Sequence, residues 1–109
     1  MPLRPRRLSQ HAPGTSEATR YTVTGVTYTI LREVVVVNVT GGAAAFDLSL
    51  VPSGNAAGDA NRLIRNASID PYTTVIFKFS QILETGDFIS TKASVAAALS
   101  VTISGVEST

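Results

Sequence analysis

From residue 20 onward the chain alternates apolar and polar positions at a period of two, and glycine, proline and asparagine break the alternation at short intervals. Tyr21 and Val23, then Val26, Tyr28 and Ile30, sit among threonines, with Gly25 expected as a bend or bulge between the two short runs. Residues 33–40 contain four consecutive valines. Branched side chains lose rotamer freedom in a helix and suit a strand buried on both faces, so this segment predicts a central strand, ended by Gly41 and Gly42. Residues 45–51 place Phe46, Leu48 and Leu50 on one face and Asp47 and Ser49 on the other until Pro52 stops the run.

Further strands are predicted over residues 63–69, 74–79, 81–83, 88–94 and 99–106. In residues 74–79, Val75, Phe77 and Phe79 share a face with Ile76 opposite. Pro71 pre-sets one turn, residues 84–87 form another, and residues 95–98 are expected to close a hairpin. A helical turn over 93–99 is compatible with propensity alone, but its flanks alternate at period two. About eight short strands at spacings of about ten residues predict an all-β fold, an antiparallel β-sandwich or jelly-roll-like barrel, over residues 20–109.

Residues 1–19 follow neither period and contain Pro2, Pro5, Pro13 and Gly14. They are expected to form an extended N-terminal arm outside the sandwich. Prolines favour an extended, partly pre-ordered backbone, which reduces the entropy lost on docking. The formal net charge of the chain is +1, yet the arm holds Arg4, Arg6 and Arg7 against the single acid Glu17. Arg4, Arg6, Arg7, Leu8 and His11 are therefore the expected partner-binding residues, with an acidic protein surface favoured as their target. Three arginines without interleaved aromatics make a small footprint for nucleic acid, and the rest of the chain is slightly acidic.

Composition narrows the functional classes. Hydrophobic residues make up 44% and charged residues 16% of the 109 positions, which suits a small domain that hides surface against neighbours. The absence of cysteine excludes disulfides, thiolate metal sites and cysteine nucleophiles, leaving packing or oligomerisation to hold the domain. No apolar stretch has the length of a signal peptide or membrane span, so a soluble product made in the cytoplasm is expected. His11 is the only histidine, which rules out a multi-histidine metal site within one chain. Asp59 and Asn61 have the oxygen spacing that opens a calcium loop, but the later glutamate is missing and strands flank them. Gly54 and Gly58 lack the lysine of a phosphate cradle. Residues 54–61 therefore read as a strand connection, and Glu84 with Asp87 as a solvated turn. No catalytic residues, metal site or cofactor are expected.

Three stretches carry a family resemblance: residues 48–63, with Leu50-Val51-Pro52 and Gly54; residues 83–89, with Leu83-Glu84-Thr85-Gly86-Asp87; and residues 101–107, ending Ser104-Gly105-Val106-Glu107. Together with the Tyr21-Thr22-Val23 start and the valine strand ending in Asn38 and Thr40, they resemble small virion proteins of tailed bacteriophages over roughly residues 20–107. The resemblance implies a β-sandwich module attached to the capsid or tail, without enzymatic activity. The leading expectation is a capsid decoration protein that binds the outside of the major capsid protein shell as a homotrimer or other homo-oligomer, assembled in the host cytoplasm and located in the virion. A tail, neck or baseplate subunit is the alternative. A carbohydrate- or receptor-binding module is a third, disfavoured because there is no tryptophan and only three tyrosines are available to stack on sugars.

Overall fold

In the computed structural model, which describes residues 3–108, the chain forms eight strands: β1 (Leu3–His11), β2 (Ala18–Thr22), β3 (Tyr28–Asn38), β4 (Ala44–Val51), β5 (Arg62–Ile69), β6 (Thr74–Glu84), β7 (Phe88–Ala93) and β8 (Leu99–Ser108). One turn of 3-10 helix, Asp59–Asn61, precedes β5. The valine segment lies in β3, paired antiparallel to β8 on one side and β6 on the other. The first sheet has the order β1-β8-β3-β6 and the second β2-β7-β4-β5. Every connection except β4–β5 crosses from one sheet to the other. This order is the double-sheet, eight-stranded jelly roll.

The segment expected as a free arm is a strand of this sheet. Residues 3–11 are extended, as their prolines suggest, but they pair along β8 from Leu3↔Ser108 to His11↔Val101. A boundary at residues 19/20 would cut through β2. The strand period is hidden because Pro5 interrupts it and because the register shifts between Arg7 and Ser9, which places Leu8 in a bulge. Residues 95–98 do not close a hairpin. β7 pairs with β2 and β4, β8 pairs with β1 and β3, and the link, with Ala97 at φ 60°, carries the chain between sheets. Residues 74–79 and 81–83 belong to one strand, and Gly25 (φ 73°) lies where the chain passes from β2 in the second sheet to β3 in the first.

Leu31, Val34, Val36, Leu83, Leu99, Val101 and Ile103 of the first sheet meet Phe46, Leu48, Ile64, Ile69 and Ile89 of the second in a single buried core. Val35 and Val37 are only half-buried, so the valine strand is covered on one face rather than two. The first sheet bends where its strands lose register, between Leu31 and Glu33 against both neighbours. Gly105 occupies that bend. A Cβ there would lie 2.3 Å from the Ile30 carbonyl oxygen and 2.9 Å from Leu8 Cδ1, so the close approach of β3 and β1 admits only glycine.

Candidate interaction surface

The outer faces of the two sheets differ in chemistry. On the first sheet, cross-strand pairing aligns Pro5, Val106, Ile30 and Ile82 in one row, since Pro5 is opposite Val106, Val106 opposite Ile30, and Ile30 opposite Ile82. The row is apolar across all four strands. Tyr28, Ile30 and Ile82 line one surface depression beside Glu84, and Pro5 and Val106 line a second beside Arg32, Glu33 and Lys78; each has a volume of about 550 Å³. Nearer the other end of β6, Ile76 stands opposite Val35. Ile76 and Ile82 are 54% and 56% exposed, high for isoleucine. Between them Lys78 Nζ donates to Glu33 Oε2 at 3.2 Å.

The second sheet's outer side carries a charge network. Arg62, with a side chain only 7% exposed, is 2.6 Å from Glu17, 3.5 Å from Asp59 and 3.9 Å from Asp47, and donates to Ser49 Oγ at 2.6 Å. Lys92 stands 3.7 Å from Asp47, Arg65 stands 3.3 Å from Asp59, and Ser90 Oγ donates to Glu17 at 3.2 Å. The hydrogen bond to Glu17 holds Arg62 in its charged form against the cost of burial. Arg65 holds the Asp59 carboxyl below its usual value. The backbone N–H of Asn66, in the left-handed region at φ 54°, donates to Asp47 Oδ1.

Two polar links reach the residues expected to bind a partner. Arg6 Nη1 donates to Glu107 Oε1 at 3.2 Å, while the Tyr21 hydroxyl donates to Glu107 Oε2 at 2.6 Å and accepts from Thr29 Oγ1 at 2.7 Å. Burial, reinforced by Glu107, pushes Tyr21 up to about 12. His11 Nδ1 lies 2.8 Å from Ser9 Oγ and Nε2 lies 2.9 Å from Thr91 Oγ1 of the second sheet. Burial, and then Arg20, lowers His11 to about 4, so the ring is neutral at pH 7. Leu8 packs on the core. Of the five residues singled out in the sequence, Arg6, Leu8 and His11 thus serve the chain's own fold. Arg4 and Arg7 are exposed and make no ion pair among the described residues.

The side chains of the 54–61 loop also have structural duties. Asn61 Oδ1 accepts from the Gly58 N–H and its Nδ2 donates to the Ala56 carbonyl, while Asp59 faces Arg62 and Arg65. In the 84–87 turn, Asp87 accepts from the N–H groups of Glu84 and Ser53, with Gly86 at φ 92°. Sequence reading missed the Arg6–Glu107 link because the partners are 101 residues apart, and it missed the apolar row because register, not spacing, assembles it. A partial signal was available, since Ile76 lies opposite the phenylalanine face of its strand.

No protein-family model matches the chain, and no curated protein matches it. Among solved structures, it is similar to a chain in the structure of infectious bursal disease virus Gx strain, with a TM-score of 0.56 and 13% identity over 98% of this chain. A chain in the structure of the Gt strain of the same virus gives a TM-score of 0.50 at 13% identity, again over 98% of this chain. This chain spans 32% of the length of each of those chains. At this identity the likeness is one of fold, and the virus concerned is an animal virus rather than a tailed phage.

Proposed function

We propose that this chain is a virion structural subunit, a capsid decoration protein that binds the outside of the major capsid protein shell through the outer face of its β1-β8-β3-β6 sheet. The observation that carries the docking mode is the apolar row Pro5, Val106, Ile30, Ile82, which crosses a whole sheet on a face that no other element among the described residues covers. The class is supported by the jelly-roll order, by its likeness to a chain of a virus structure, and by the resemblance of the sequence to small phage virion proteins. Interface cores are depleted in charge, and the first sheet's outer face fits that pattern better than the second's. Many weak contacts repeated around a closed shell reinforce one another through multivalency.

The test is cosedimentation of the purified chain with empty phage heads and, separately, with isolated tails. Removing residues 2–19 would take away β1 and the start of β2, so the informative variant is Val106→Lys, which charges the centre of the row. Binding to heads that Val106→Lys abolishes, with thermal unfolding retained, is the expected result. Binding to tails alone would assign the chain to the tail, neck or baseplate. Binding to neither would overturn the virion reading and favour a receptor-binding module.

A further inference from the structure

Two open sheets present four edge strands, and three of them are blunted. β1 contains Pro5, which has no N–H to donate, together with three arginines and the bulge at Leu8. β2 has five residues and a register shift between Thr19 and Tyr21. β5 has two register shifts against β4 and carries Asn66 in the left-handed region. β6 differs from all three. It too shifts register once, against β3 around Phe79 and Ser80, but it runs for 11 residues without proline or positive φ, keeps its side-chain alternation through the shift, and exposes Ile76 and Ile82 to solvent. A long edge strand with exposed apolar side chains is a template for pairing with another strand.

The β6 sequence identifies that other strand. Laid antiparallel against itself about Phe79, it sets Ile76 opposite Ile82 on both sides of the axis, Lys78 opposite Ser80 and Thr74 opposite Glu84. Val75 faces Leu83 and Phe77 faces Gln81 on the side that continues the core. No residue then meets a like charge directly, and Glu33 of the same chain already neutralises each Lys78 at 3.2 Å. Moving the axis to Phe77 places Ile76 against Lys78, and moving it to Gln81 leaves Ile76 without a partner. Cross-strand apolar pairs are the unit of sheet stabilisation, so register is decided by the isoleucines.

We propose that two copies of this chain pair through β6 about a two-fold axis at Phe79, joining their first sheets into one continuous eight-stranded sheet. Such an interface is isologous and closes on itself, so it gives a dimer rather than a fibre. It also carries each apolar row across the seam, from Ile82 of one copy to Ile76 and then Val35 of the other. The proposal concerns the chain alone and stands apart from any binding to heads.

The chain has no cysteine, which permits a clean test. Ile76→Cys and Ile82→Cys variants, both at positions more than half exposed, are oxidised separately and then as a mixture. In the proposed register residue 76 faces residue 82 of the other copy at a distance a disulfide can span, while residue 76 is far from its own equivalent. A cross-linked dimer in the mixture and little in either variant alone is the expected result. Sedimentation equilibrium should find a wild-type dimer and, for Ile76→Lys, dimerisation weakened at least about 10-fold, with thermal unfolding unchanged at dilutions where both chains are monomeric. A wild-type chain that stays monomeric, a mixture that does not cross-link, equal cross-linking in the separate variants, or undiminished dimerisation by Ile76→Lys would each overturn the proposal. No shell is present, so failure here leaves the head-binding test untouched.

Discussion

The second sheet turns its charges toward one another, whereas the outer face of the first has one ion pair among the described residues, Lys78–Glu33, and leaves Arg7 and Arg32 exposed beside its valine, isoleucine, proline, serine and threonine positions. Both sheets cover the same core, and the contrast arises from what each covers on its other side. Arg62 on β5 draws in Glu17 from the β1–β2 connection, Asp47 from β4 and Asp59 from the preceding turn, so the second face is closed by its own loop residues. Among the described residues the first face has no such hub, and Val35, Val37, Ile30 and Val106 remain half-buried. A face that satisfies itself contributes to stability. A face that leaves apolar groups in water is available for association.

Substitutions should separate these roles. The largest effect is expected at the bend of the first sheet, where Gly105→Ala forces a Cβ against the Ile30 carbonyl and Leu8; a loss of about 3 kcal/mol or more is expected from denaturant unfolding. Next is the hub of the second face. Arg62→Met leaves Glu17 and Asp47 without their shared cation, and because Glu17 is partly exposed the cost should be about 2 kcal/mol, below that of a fully buried pair. If Arg62→Met were neutral, the charge network would be decoration and the contrast between the faces would fail.

Smaller and pH-dependent is the His11 link between the sheets. Its folded-state value of about 4 lies below the ordinary 6.5, so the unfolded chain binds more protons between those values. His11 therefore contributes stability that is complete above pH 6.5 and is lost as pH falls through about 4. Thermal melts of the wild type and His11→Asn should converge as the pH is lowered over that window, and parallel curves would show that the ring does not sense burial. The smallest effect on stability is expected on the first face: Ile76→Lys should change unfolding by less than about 0.5 kcal/mol while weakening association. A large loss of stability there would make the first face a second structural surface.

Much of the fold was legible in the residues. Alternation at Phe46, Leu48 and Leu50, the valine run, and turns at Pro71 and Gly86 located most strands and the all-β class, because a two-residue side-chain period is a local property. The loop at 54–61 was also legible, since asparagine and glycine bond to their own backbone neighbourhood. β1 was not. Pro5 and the bulge at Leu8 erase its period, and only the open edge of β8, a partner about a hundred residues away, turns it into a strand.

By itself, then, the sequence determined which segments extend, where most of them turn, and that the core is mainly aliphatic, with Phe46 fully buried and Phe77 and Phe79 packed partly against it, because these depend on backbone preferences and side-chain alternation within a few residues. Tertiary structure alone decided that β1 and β8 pair, that Arg6 and His11 bond to distant residues of the same chain, and that four distant residues make one apolar row. Strand order and register are relations between segments, set by which edges remain open and which faces must be covered, and no local pattern contains them.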